Sequence, residues 1–170
     1  MDKHWHVIYT RHRYEKRTAR SLERKGIEYF LPLKTELRQW NDRKKKIESP
    51  VFPGYLFVQV DSQEMLQVYY TDGFVKFITN EDKPDIVPER DISSLRRALV
   101  GDYEISTESF DLGDKVRVSS GPMQGLQGHL IRFTQNSKLV INVDVIDKSV
   151  VVTIPSYFIE KVEAEYCISG

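Results

Sequence analysis

The run Glu48-Ser-Pro-Val-Phe-Pro-Gly-Tyr-Leu-Phe-Val-Gln-Val-Asp61 constrains the fold of this chain more than any other stretch. Pro50 and Pro53 fix φ at their own positions and restrict the residue before each, so the backbone here is extended and stiff. Gly54 allows one free choice of dihedral directly before Tyr55. From there Tyr55, Phe57 and Gln59 alternate with Leu56, Val58 and Val60. Period two means two faces, and both are largely apolar. Such a strand is either central, with cover on both sides, or keeps its aromatic face for a partner.

The elements around it follow from pattern. Trp5 to Thr10 is β-rich and reads as a first strand. Residues 11–25 hold helix formers without Gly or Pro, and Gly26 ends the helix. Arg13, Arg17, Arg20 and Arg24 are spaced four, three and four apart, which aligns them on one helical face. Such a stripe is either a solvated face or, with only Glu15 and Glu23 to neutralise it, a phosphate-binding surface. Residues 27–31 form a second strand. Residues 33–40 form one arm of a hairpin that turns at Asn41-Asp42 and returns into the Pro50–Val60 strand. Arg38, Trp40, Arg43, Lys44, Lys45 and Lys46 give this hairpin a basic tip with an aromatic, a pattern suited to nucleic acid. Ser62 caps a short helix, 74–79 is another strand, and Pro88 and Glu89 open a helix with Ile92, Leu95 and Leu99 on its apolar stripe. The order β-α-β-β-α-β-α predicts an α+β domain over 1–100, an antiparallel sheet with flanking helices. Residues 101–110 are acidic and aperiodic, a linker. Residues 111–163 hold four or five short β-branched strands separated by turns, which predicts a small β-barrel, and 164–170 is a tail.

Composition narrows the function. The chain is 40% apolar and 29% charged, as expected of a soluble globular protein. Its formal net charge is zero, so attraction to nucleic acid must come from local clusters. The single cysteine, Cys167, allows no disulfide within the chain, and Met1–His6 contains no apolar signal core. A cytoplasmic protein that does not enter a membrane is expected. No phosphate loop, nucleophile elbow or metal-ligand spacing occurs; His4, His6 and His12 lack Cys or carboxylate companions, and His129 reads as structural. A binding protein without cofactor or metal is expected rather than an enzyme.

Two stretches together resemble the NusG family of transcription elongation factors. Trp5-His-Val-Ile-Tyr-Thr10 with Pro50-Val-Phe-Pro-Gly-Tyr-Leu-Phe-Val58 resembles the family's N-terminal domain. Asp114-Lys-Val-Arg-Val-Ser-Ser-Gly-Pro-Met-Gln-Gly-Leu-Gln-Gly-His-Leu130 resembles the KOW motif of its SH3-like C-terminal barrel. The match covers nearly the whole chain. It implies a monomer that docks on the clamp helices of the largest catalytic subunit of bacterial RNA polymerase, bridges the DNA cleft and suppresses pausing or termination. The clamp contact maps onto Phe52, Tyr55 and Phe57, with Trp5, Tyr9 and Leu33 nearby. In RfaH-like paralogues the start of the first helix reads the non-template DNA strand, which maps here onto Arg11, Arg13, Tyr14, Arg17 and Arg24, beside Arg20.

Within the family, Ile146 stands where housekeeping members offer a phenylalanine to a termination factor or ribosomal protein. With the short linker this implies a specialised, operon-specific RfaH- or UpxY-like antiterminator, with Ile146 at the KOW partner site. Some such paralogues refold the KOW domain as a helical hairpin. The β-branched runs 140–146 and 150–154 disfavour helix and predict strands here. A KOW-type RNA- or ribosome-binding module is the alternative, against which zero net charge argues. On this reading Leu56, Val58 and Val60 enter the core, and Phe52, Tyr55 and Phe57 face the polymerase.

Overall fold

A computed structural model describes residues 2–40, 43–101, 103–106, 113–132 and 136–162. The chain divides into two units, Met1–Ile92 and Ser93–Gly170. Asn41-Asp42, residues 107–110 of the expected linker, and the tail with Cys167 lie outside the described residues.

The first unit is built on a four-stranded antiparallel sheet of order β2-β5-β1-β6. Its strands are β1 (His4–Thr10), β2 (Glu28–Phe30), β5 (Tyr55–Val60) and β6 (Phe74–Phe77). β5 lies between β1 and β2, with Tyr9 opposite Tyr55, Val7 opposite Phe57 and Phe30 opposite Phe57 on its other side. The alternating residues Leu56, Val58 and Val60 join Ile8, Ala19, Leu22, Ile27, Val68 and Phe77 in one core cluster, as expected from their period. The helix α1 (Glu15–Arg24) enters that cluster through Ala19 and Leu22, one turn apart. It starts at Glu15 rather than Arg11, because Arg13 adopts a left-handed φ of 62° and Arg11 N donates instead to Gly73 O at 2.8 Å.

The helix α2 (Ser62–Tyr69) is capped by Asp61, not by Ser62. The Asp61 carboxylate accepts from the backbone N–H groups of Gln63 and Glu64 at 2.9 Å each, while Glu64 reaches back to Asp61 N at 3.3 Å. These backbone donors, that of Glu64 foremost, hold the Asp61 carboxyl below its ordinary range. At the other end Lys25 Nζ donates to Gln67 O and Tyr70 O at 2.7 and 3.0 Å, fastening α1 to the last carbonyls of α2.

The expected hairpin is present as β3 (Leu33–Gln39) and β4 (Lys44–Pro50), paired from Leu33↔Pro50 to Gln39↔Lys44. It does not run into the β5 strand. β3 and β4 form a sheet of their own, and a turn at 52–55 separates β4 from β5. A second small pair, β7 (Thr79–Asn80) and β8 (Lys83–Pro84), leads to α3 (Glu89–Ala98). Val87 bridges Trp5, and Trp5 Nε1 donates to Glu89 Oε2 at 2.5 Å, which ties the start of α3 to β1.

His6 gives this unit a pH dependence. It is buried beside Phe77, with Nδ1 2.8 Å from Asp85 O, and burial pushes its imidazole below the ordinary value of 6.5. The unfolded chain therefore takes up a proton that the folded chain resists. Stability is full above about pH 6.5 and falls as pH drops below it. The melting temperature of the first unit is expected to fall between about pH 7 and pH 5, and His6→Gln to flatten that slope. An unchanged slope would assign the acid sensitivity elsewhere.

The second unit contains a six-stranded antiparallel sheet of order β14-β10-β11-β12-β13-β9. Its strands are β9 (Tyr103–Ser106), β10 (Lys115–Val118), β11 (Gln127–Arg132), β12 (Asn136–Val143), β13 (Lys148–Pro155) and β14 (Ile159–Lys161). Tyr103–Ser106, expected within the linker, is a strand because its backbone pairs with Ser149–Val152. β14 and β9 are the two ends of the strand order, so the sheet is open among the described residues. The run 150–154 lies in β13 and 140–143 in β12, paired over eight positions, as their propensity predicts, whereas residues 144–146 of the first run leave the strand for a 3-10 turn. Gly128 sits where β11 crosses close to β12: a Cβ there would lie 2.8 Å from Val140 O. Ile146 lies in a 3-10 turn, Asp144–Ile146, with its side chain buried. The residue at which the KOW partner site is expected is largely covered here, as aliphatic side chains commonly are.

Candidate interaction surface

The turn between β4 and β5 is where the sequence's two prolines and glycine act. Tyr55 N donates to Phe52 O at 3.1 Å, with Pro53 second in the turn and Gly54 third at φ 85°, the pattern of a type II turn. Gly54 is held at both of its polar groups. Its N–H donates to Glu15 Oε1 at 2.8 Å, and its carbonyl accepts from Thr10 N at 2.8 Å. The Glu15 side chain therefore points inward from the first turn of α1 and leaves the charged face of that helix. A Cβ on Gly54 would lie 2.7 Å from Tyr9 Cε2, so the ring of Tyr9 lies against the glycine backbone.

This arrangement presents a tyrosine pair. The Tyr9 and Tyr55 rings are 5.4 Å apart at 67°, an edge-on contact across the β1–β5 ladder. Tyr9 is 38% exposed and Tyr55 partly so. Leu33, at the start of β3 opposite Pro50, is 37% exposed. The other three residues expected on this surface are not on it. Phe52 and Phe57 are 1% and 0% exposed, and Trp5 is buried on its bond to Glu89. Phe57 packs its ring 5.8 Å from Phe30 and 6.3 Å from Phe52, so the aromatic face of β5 is largely interior. Alternation placed Phe57 opposite Leu56, but it carries no information on whether each face has cover. Within β5 only Tyr55 and Gln59 are partly exposed, so Tyr55 is the one aromatic of the strand that reaches solvent.

The arginines of α1 are exposed as their spacing predicts. Arg13 lies before the helix rather than on its stripe. Arg17 stands 5.2 Å from the Tyr14 ring and pairs with Asp72 at 2.5 Å; Arg11 stands 6.0 Å from the same ring. Asp72 is 55 positions away in the sequence and neutralises one member of the stripe. Arg13, Arg20 and Arg24 have no acidic partner among the described residues. In the hairpin, Arg43, Lys44, Lys45 and Lys46 are exposed, as is Trp40. Glu36 binds Lys34 at 2.6 Å and Arg38 at 3.7 Å, and the Lys34 ammonium holds its carboxyl below the ordinary range.

Sequence reasoning missed Glu15, Thr10 and Phe30. An acid in a first helical turn reads as a favourable partner for the helix dipole, and nothing local points to its bond with Gly54. Phe30 flanking Phe57 had a weak signal in its aromatic character.

Among the described residues no group of three His, Cys, Asp or Glu could hold a metal ion, and no helix is long and apolar enough to cross a membrane. A tyrosine pair mounted on a rigid turn, arginines around a further tyrosine and a basic hairpin are the surface features that the first unit presents. The family model for NusG, described as transcription termination factor nusG, matches residues 3–96. The chain belongs to the NusG family, whose members are non-enzymatic transcription factors. It is 28% identical to the transcription termination/antitermination protein NusG of Pseudomonas aeruginosa, over 95% of this chain and all of that one. It is 27% identical to the protein of the same name in Lactococcus lactis, over 96% of this chain and 95% of that one. The solved structure of Thermotoga maritima NusG shares its fold, with a TM-score of 0.53 and 22% identity over 96% of this chain and 99% of that one.

Proposed function

We propose that this chain is a bacterial transcription elongation and antitermination factor that binds RNA polymerase on its clamp helices and suppresses pausing or termination. Membership of the NusG family across residues 3–96 carries this reading. Tyr9, Tyr55 and Leu33 form the polymerase contact, with Phe52, Phe57 and Trp5 as the buried support that holds them. Amphipathic tyrosines on a rigid turn suit a protein interface because they bring large area at small entropic cost. Arg11, Arg13, Tyr14, Arg20 and Arg24 meet the non-template DNA strand, and Arg17 contributes its stacking on Tyr14. The second unit acts as an SH3-like KOW barrel that engages a further partner, such as a ribosomal protein. The protein works in the cytoplasm as a specialised, operon-specific member of its family.

The test is capture by core RNA polymerase. Tyr9→Ala combined with Tyr55→Ala is expected to weaken binding at least about tenfold, the order of one interface hot spot, while far-UV circular dichroism stays unchanged. Undiminished binding would remove the tyrosine pair from the interface. Retention of ribosomal RNA with no polymerase capture would favour the translation-side reading.

A further inference from the structure

We infer that the β3–β4 hairpin is a separate binding site for duplex DNA, gripping the phosphates on both sides of a groove. The inference rests on the reading of this chain as a factor that works at transcribing polymerase. The hairpin forms a two-stranded sheet of its own, seven residues in each strand, about 24 Å long at the usual rise. A two-stranded ribbon of this kind fits the major groove of B-DNA, about 12 Å wide.

The distribution of charge selects the duplex over a single strand. Cross-strand partners share a face, and faces alternate along each strand. Lys44 opposite Gln39 and Lys46 opposite Leu37 therefore lie on one face, and Lys45 opposite Arg38 on the other. A single-strand site gathers its cations and stacking rings along one channel. Here cations stand on both faces of a thin ribbon, as two phosphate walls require. Arg43, Lys44, Lys45 and Lys46 have no acidic partner among the described residues, whereas Lys34 and Arg38 are held by Glu36. Trp40 and Leu37 are 59% and 66% exposed near the tip, apolar surface available to base edges and sugars.

The test uses the full chain without polymerase, so its outcome is independent of the capture experiment above. Fluorescence anisotropy at about 50 mM salt compares a labelled duplex with each of its single strands. The duplex is expected to bind more tightly than either strand. Lys44→Ala, Lys45→Ala and Lys46→Ala together should weaken duplex binding at least about tenfold and reduce the slope of log affinity against log salt by about 2–3, one phosphate contact per lysine. Glu36→Gln, which frees Lys34 and Arg38, should strengthen it. The four substituted positions lie outside the buried core, and circular dichroism checks that each variant folds. Equal or tighter binding of single strands, an unchanged salt slope in the triple variant, or no duplex binding at low salt would each overturn the inference.

Discussion

Phe57→Ala is expected to cost the first unit about 3–5 kcal/mol, the range for removing a fully buried phenylalanine ring from a packed interior. Phe57 is flanked by Val7 and Phe30 across its two ladders, and its ring lies near those of Phe30 and Phe52. With none of its surface exposed, the neighbours can recover little of the lost contact by collapsing. A loss of that size takes much of the roughly 5–15 kcal/mol that holds a small domain together. Denaturant unfolding should show an early transition for the first unit. Polymerase capture should fall in parallel with the folded fraction. A Phe57→Ala protein of unchanged stability that no longer binds polymerase would return this residue to the surface. Tyr55→Ala should behave in the opposite sense, because Tyr55 is partly exposed: little stability lost, binding reduced.

Gly54→Ala is expected to do both. The left-handed backbone at φ 85° costs an alanine about 1–2 kcal/mol. Its Cβ would also meet Tyr9 Cε2 at 2.7 Å, closer than carbon atoms approach without displacement. Either the Tyr9 ring swings away from Tyr55, or the turn shifts and weakens the bonds that Glu15 and Thr10 make to Gly54. The overpacking adds about 1–3 kcal/mol, and the geometry of the tyrosine pair changes with it. Polymerase capture should therefore fall further than the loss of folded protein accounts for. Glu15→Gln, which keeps an acceptor for Gly54 N, should retain most of the binding that Glu15→Ala loses. Normal capture by folded Gly54→Ala protein would show that the turn does not set the interface.

Much of the architecture was legible because its signals are local. Period two in residues 55–60 located β5, and the core role of Leu56, Val58 and Val60 followed from it. The hairpin, the stop at Gly26 and the β-branched strands of the second unit rest on turn chemistry and propensity within a few residues. The errors are those of contact at long range. Arg11 starts no helix because Arg13 breaks it with a left-handed φ of 62°, in a segment whose Arg11 N–H is fastened to Gly73 O. The cap is an exception whose signal is local: Asp61 displaces Ser62 because Glu64, three residues on, closes the reciprocal box. Residues 103–106 look like linker until β13 offers them an edge.

The candidate surface divides along the same line. By itself the sequence determined that β5 has two apolar faces, that a rigid turn precedes Tyr55, and that cations gather on α1 and on the hairpin tip. Only the tertiary structure decided which aromatics see solvent. Phe52 and Phe57 are interior and the exposed pair is Tyr9 with Tyr55, because cover depends on chain segments far away in sequence. It decided likewise that Glu15 serves the turn and that Arg17 is taken up by Asp72. Alternation counts the faces of a strand, whereas the partner of each face is set by packing between elements, which no local pattern encodes.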